Sequence, residues 1–219
     1  GVLMMVDLLL AYPYIDANSS SAQTCTNNNT LPRYTTGAGV RAFMVAATTV
    51  GATPHNIQMS YTNTTPTAGR AIPITTACTA SAIVPHITHS GVAANNYGPF
   101  LPMATGDSGV KSIQSVTLSA GSGTASTYYH MVLCKPLVTI PITTVSVAAE
   151  RDLINQLPSM PQIVDGACIG FLWFAGAATA VGAALAASAL CAAEYSDQVA
   201  KAARATGTTT ETFSKFQYI

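Results

Sequence analysis

Any chemistry in this chain has to come from a few residues. Ser108 lies in Gly106-Asp107-Ser108-Gly109, a tight polar setting of the kind that exposes a nucleophilic serine. Acyl transfer by such a serine needs an imidazole within hydrogen-bond reach and a carboxylate to orient that imidazole. The chain has 4 histidines, His55, His86, His89 and His130. His86 and His89 are spaced so that one helical turn would offer two nitrogens to a metal such as zinc. Glu150 and Asp152 are the closest carboxylate pair, and Arg151 stands between them.

None of these groups completes a constellation in the sequence. The serine segment resembles the nucleophile motif of trypsin-like serine proteases, but Val110 replaces the second glycine after the serine and no histidine stands in an Ala-Ala-His-Cys context. It reads instead as a polar turn that launches a strand at Val110. Pro85 and β-type flanks put His86 and His89 on a strand or loop, and the nearest carboxylate in sequence is Asp107. Glu150–Asp152 reads as a solvated helix start. There is no P-loop and no dinucleotide glycine motif. No catalytic residue, metal site or cofactor is therefore expected. The Asn-x-Ser/Thr triplets at Asn18, Asn28 and Asn63 are chance products of an Asn/Thr-rich chain.

Composition narrows the class. Charged residues make up 8% of 219, and 9 Lys/Arg balance 9 Asp/Glu, whereas ordinary soluble domains are about 25% charged. The basic residues are scattered, so no patch neutralises several phosphates and nucleic-acid binding is disfavoured. Hydrophobic residues are 49%, and Thr, Ser, Asn and Gly fill much of the rest. Such a surface is wet but lacks the charge repulsion that keeps free monomers apart, which suits a permanent assembly. The 5 cysteines are odd in number and form no C-x-x-C, so neither a disulfide framework nor a zinc site is expected. Cys134, Cys168 and Cys191 lie in apolar runs and read as small buried hydrophobes.

Strand signals dominate the elements that would position these residues. Val2–Ile15 is apolar, with Asp7 in its middle and an interruption at Pro13; it lacks a basic n-region and does not read as a signal peptide. Val40–Val50 is β-branched and aromatic. Asn56–Thr62 alternates, with Ile57, Met59 and Tyr61 on one face. Ala71–Thr76 and Ala82–Ile87 contain proline and read as edge strands. Val110–Leu118 alternates with one slip, which predicts a bulge. Ser126–Leu137 is expected to return from it as a hairpin, and Val138–Val147 to continue extended. Asn18–Thr30 reads as a loop within a first hairpin. Short helices are expected at Glu150–Leu157 and, capped by Ser196, at Asp197–Arg204. The predicted fold is mainly β: an antiparallel sandwich or jelly-roll-like barrel with one or two short helices and extended terminal arms. Residues 1–205 are expected to form a single β-rich domain, and 206–219 a C-terminal arm closed by Phe213, Phe216 and Tyr218.

Between Gly166 and Ala193 no side chain is charged, a span long enough to cross a bilayer, where about 20 apolar residues suffice. The flanks are Asp165 and Glu194 rather than the Lys or Arg that anchor spanning helices. Cys168–Phe174 is bulky, Ala175–Ala187 is mostly Ala and Gly, and Ala189–Tyr195 is apolar again. This pattern predicts strand–loop–strand and no membrane.

Four segments carry a resemblance to a known family: VDLLLAYPYIDANSSSAQTCTNNNTLPRYTTGAGVRAFMVA, GPFLPMATGDSGVKSIQSVTL, MVLCKPLVTIPI and AAERDLINQLPSMPQIVDGACIGFL. They resemble a family of virion structural proteins of tailed bacteriophages, over most of Val6–Tyr195. The resemblance implies a non-enzymatic component of the virion head, made in the host bacterial cytoplasm. It points to a decoration (cement) protein on the outer capsid surface, with the major capsid protein as partner and a homotrimer as the working form. A tail, receptor-binding or head-fibre β module is the alternative with the same composition. As interface residues the termini stand out: Val2 and Leu3 in Gly1–Asp7, and Phe213, Phe216 and Tyr218 in Thr206–Ile219.

Overall fold

The computed structural model describes residues 1–25, 30–72, 76–88, 99–142, 163–174 and 187–188. Among the described residues there are eleven strands: β1 Val2–Asp16, β2 Gln23–Thr24, β3 Arg41–Ala46, β4 Asn56–Asn63, β5 Arg70–Ala71, β6 Thr76–Ala77, β7 Ile87–Thr88, β8 Val110–Leu118, β9 Tyr128–Pro141, β10 Cys168–Phe174 and β11 Ala187–Ser188. One sheet has the order β11-β10-β1-β9-β3-β7; the other runs β2-β8-β4-β5, with β6 also pairing β4. All pairings are antiparallel. The two sheets pack face to face as a sandwich. Among the described residues there is no helix, hence none long and apolar enough to cross a membrane. The expected helices at Glu150–Leu157 and Asp197–Arg204 lie outside the described residues.

The core follows from strand periodicity. In β4, Ile57, Met59 and Tyr61 are buried and their neighbours are not, the pattern of one face on a core and one on solvent. They meet Val110, Ile113, Val116 and Leu118 of β8 and, across the sandwich, Tyr12, Met44, Tyr129, Met131 and Leu133. The spacing of the buried β8 residues slips twice. Ser60 pairs with Ser115 but Tyr61 with Ile113, and Thr62 pairs with Ser112 but Asn63 with Val110. Gln114 and Lys111 are thus extra residues in two bulges, which keep all four apolar side chains on the core face.

The other sheet is buried on both faces at its centre. Ala42, Met44 and Ala46 of β3 face the sandwich core, while Phe43 joins Val6, Ile87, Cys134 and Leu172 in a second cluster on the opposite face. A strand covered on both sides reads as a continuous apolar run rather than an alternating one, which explains the sequence RAFMVA.

β1 is the longest strand and runs through Pro13. Tyr12 pairs with Met131 and Ile15 with Tyr129, so Pro13 and Tyr14 together face His130 alone. Proline has no N–H to give to a ladder, and a bulge is where a strand tolerates it. Pro136 of β9 is accommodated in the same way: Val6 pairs with Pro136 and Met5 with Val138, leaving Leu137 as the extra residue.

Three expectations are corrected. β8 and β9 do not form a hairpin: β8 pairs with β4 and β2, and β9 with β1 and β3. The connection from Ser119 to Thr127 is far longer than a two-residue hairpin turn and crosses between sheets. Its ends are held by Ser122 N–H on Ala17 O (2.8 Å) and Ala17 N–H on Thr127 O (2.8 Å). For the same reason Asn18–Thr30 is not a hairpin loop, since β1 and β2 belong to different sheets. Lastly, Gly1–Asp7 is not an extended arm. It is an interior strand segment with β10 on one side and β9 on the other, and the Gly1 ammonium donates to Ile142 O at 2.9 Å.

The uncharged stretch begins as expected. Cys168–Phe174 is a strand, β10, and β11 returns antiparallel to it, pairing Phe171 with Ser188 and Leu172 with Ala187. The return starts ahead of the expected Ala189. Residues 175–186 and 189–219 lie outside the described ones.

Candidate functional site

The Gly106–Gly109 segment is a structural junction. The Asp107 side chain is only 5% exposed. One of its oxygens accepts from the Tyr61 hydroxyl (2.6 Å) and Arg70 Nε (3.0 Å), and the other from Asn63 Nδ2 (2.9 Å). Tyr61 in turn accepts from the backbone N–H of Ala104 at 2.7 Å. These contacts tie β4 and β5 to the turn that precedes β8. Hydrogen bonds from Tyr61, Asn63 and Arg70, in that order, hold the Asp107 carboxyl down at about 2. Burial, with the bond to Asp107 second, pushes Tyr61 up to about 12.

A carboxylate with these partners has no imidazole to orient. The Ser108 hydroxyl meets Thr64 Oγ1 at 3.1 Å. His55 is 3% exposed and donates from Nδ1 to Thr53 O (3.0 Å), while its Nε2 accepts from the Tyr129 hydroxyl (2.8 Å). His130 accepts from the backbone N–H of Tyr14 at 3.3 Å. His86 lies in the turn before β7, and His89 is outside the described residues. No group of three metal-ligating side chains is gathered among the described residues. The Asn63 amide is buried and committed to Asp107 and to the turn at Thr67, so it is not offered for modification.

The depressed Asp107 carboxyl has a pH consequence. Its ionised form is favoured by folding, so its contribution is complete above the unfolded value near 4. The contribution is lost as pH falls from there through about 2. Chemical denaturation midpoints of the wild type and Asp107→Asn are expected to differ most above pH ~4 and to converge towards pH ~2. A difference independent of pH across that window would contradict the assignment.

Asp7 is a second buried carboxylate among the described residues. It is fully buried and pairs with Arg33, which is 14% exposed. Arg33 donates Nε to Oδ2 (2.7 Å) and Nη2 to Oδ1 (2.6 Å), and Nη2 also reaches Leu8 O at 3.0 Å. The backbone N–H of Cys168 donates to Oδ1 at 2.9 Å. The charge that interrupts the apolar N-terminus therefore joins β1, the loop before β3 and β10. Burial pushes the Cys25 thiol to about 11 and the Cys78 thiol to about 12, and raises Cys134 further.

No protein-family model, curated protein or solved structure matches the chain.

Of the interface residues read from the sequence, Val2 pairs with Phe174 and Pro141, and Leu3 with Trp173 and Ile140. Their backbones are therefore committed inside the sheet, and only their half-buried side chains remain for a neighbour. Phe213, Phe216 and Tyr218 lie outside the described residues. The sequence reading missed the exposed apolar pairs Ile83–Val84, before β7, and Ile163–Val164, before β10, together with Phe171 of β10. It also missed Tyr14, which is 73% exposed. The usable signal for Tyr14 was a proline between two tyrosines inside a strand, where a bulge turns a side chain outward.

Proposed function

We propose that this chain is a non-enzymatic structural protein of a tailed-bacteriophage virion: a decoration (cement) protein that binds the outer head surface at capsomer junctions beside the major capsid protein. The observation that carries the reading is a β-sandwich with only 8% charged residues that leaves Ile83, Val84, Ile163, Val164 and Phe171 in solvent. A free monomer gains nothing from apolar pairs on a nearly uncharged surface, whereas an assembly buries them at small desolvation cost. The resemblance of four long segments to phage virion proteins supports the same reading. Among the described residues the outermost strands of the two sheets, β11, β7, β2 and β5, are two residues each, which offers little edge for strand addition.

A cement protein acts through buried area and shape complementarity rather than a pocket. Working as a homotrimer on a three-fold, it engages several capsid subunits at once and gains avidity without tight single contacts. The test is stoichiometry: protein bands from purified particles should show this chain at a copy number comparable with the major capsid protein. Replacing Ile83 and Val84 together with Asp should lower its occupancy. A count of a few copies per particle would overturn the cement role in favour of a tail or fibre module.

A further inference from the structure

We propose that His130 is a proton-operated latch on the Pro13–Tyr14 bulge: charging the imidazole breaks the hydrogen bond that holds Tyr14 and lets that side chain leave the sheet face. The proposal goes beyond the structural role and does not depend on where the chain sits in a particle. Tyr14 is a non-glycine residue at φ 61°, in the left-handed region that side chains with a Cβ avoid. Such a conformation persists only where its surroundings over-determine it. Here the Tyr14 N–H donates to His130 Nδ1 at 3.3 Å. The Tyr14 ring meets His130 (centroids 5.8 Å apart, planes at 87°) and Tyr128 (6.0 Å, 85°), edge-on in both cases. Tyr12 and Ile15, on either side of the bulge, are buried in the core, whereas Tyr14 is 73% exposed. The ends of the bulge are therefore fixed, and the side chain that can move is one that the surface presents.

The latch holds in one protonation state. A ring nitrogen accepts a hydrogen bond only while it carries no proton. An imidazole takes up its second proton between about pH 8 and 5, and Nδ1–H then meets the Tyr14 N–H, donor against donor. The bond breaks, and the ring turns to find an acceptor, which also undoes its edge contact with Tyr14. Tyr14 then falls back to the extended backbone preferred in a strand. Around His130, β1 brings Tyr14 and, opposite Tyr128, Asp16, whose Oδ1 accepts from the Asn18 N–H at 2.8 Å. β9 brings the Tyr128 phenol. β3 sets Val45 opposite His130 and carries Arg41 four residues away on the same face, with its Nη1 on the Met103 sulfur at 3.5 Å. β7 sets Ile87 opposite Val45; His86 precedes it, and its carbonyl accepts from the Ala46 N–H at 2.8 Å. Asp16 and His86 are thus the competing titrations.

The experiment is an NMR titration of the full chain from about pH 8 to about pH 5. Long-range proton–nitrogen spectra should show His130 Nδ1 without a proton at the alkaline end. The HN–Hα coupling of Tyr14 should rise with the same midpoint as the His130 imidazole, as φ moves from 61° into the extended region. Nuclear Overhauser contacts between the Tyr14 and Tyr128 rings are expected to be lost in step. His130→Asn keeps an acceptor near the place of Nδ1 but takes up no proton, so Tyr14 should cease to respond. Asp16→Asn and His86→Asn should leave the response intact. Where a variant does not fold, the wild-type titration decides by itself. A proton on Nδ1 at the alkaline end, a Tyr14 coupling that stays constant while His130 titrates, a response that survives His130→Asn, or one that disappears with Asp16→Asn or His86→Asn would each overturn the proposal.

Discussion

Replacing Asp7 with alanine is expected to cost about 3–5 kcal/mol of folding stability, as breaking one side of a buried ion pair does. The substitution leaves the Arg33 guanidinium without its two charge-assisted bonds, and the Cys168 N–H without its acceptor. Those groups lie between three segments far apart in sequence, and water has little access to them. Arg33→Ala should be at least as damaging, because it strands a carboxylate with no exposure at all. A double substitution, Asp7→Leu with Arg33→Met, should recover much of the loss, since apolar groups of similar volume need no partner. Denaturant unfolding of the wild type, the two alanine variants and the Asp7→Ala/Arg33→Ala double variant gives the coupling directly as a double-mutant cycle. Additive single-site losses of under about 1 kcal/mol would show that the pair behaves as an exposed one. Domains are stable by only about 5–15 kcal/mol, so Asp7→Ala should also lower the yield of folded protein.

Gly109→Ala is the second large effect, expected near 3 kcal/mol, the upper end for forcing extra volume into packed structure. A Cβ at Gly109 would overlap the Gly37 carbonyl oxygen and stand 2.9 Å from Gly39 N. Both obstacles are backbone, so no rotamer change relieves them. The segments around Gly109 are also tied to each other: Gly39 N–H donates to Ser108 O (3.0 Å), Val40 N–H to Gly37 O (3.0 Å) and Val110 N–H to Val40 O (3.2 Å). Moving the loop would cost some of these bonds and tilt Val110, which is fully buried. Ser108→Ala, by contrast, removes only a hydroxyl paired with Thr64, and should change stability by about 1 kcal/mol or less. A thermal melt of both variants separates the two roles. A loss from Ser108→Ala as large as that from Gly109→Ala, or a Gly109→Ala variant as stable as the wild type, would contradict this division of roles.

Most of the strand content was legible in local pattern. Asn56–Thr62 alternated in sequence and became β4, with the expected three side chains buried. Cys168–Phe174 was bulky between a turn and a small-residue run, and became β10 without a shift in its ends. The slip in Val110–Leu118 marked a bulge correctly, although there are two. Pairing was not legible. The turn-like Gly121–Gly123 after β8 looked like a hairpin, yet the chain leaves one sheet there and enters the other. Nothing local distinguishes a tight return from a crossing, because the choice depends on which partner edge is free when the sheets assemble.

The composition and periodicity of this chain alone determine a mainly β protein with little charge and an alternating core face, because burial in a pleated strand imposes a two-residue repeat. The same residues mark Gly106–Gly109 as a polar turn ahead of the strand that starts at Val110. Only the tertiary structure decides that Asp107 is a hydrogen-bond hub, that Asp7 is neutralised by Arg33, and that the N-terminus is an interior strand rather than an arm. Each of these depends on groups distant in sequence meeting within about 3 Å. A buried charge is legible as an anomaly in the sequence, but its partner is chosen by the fold.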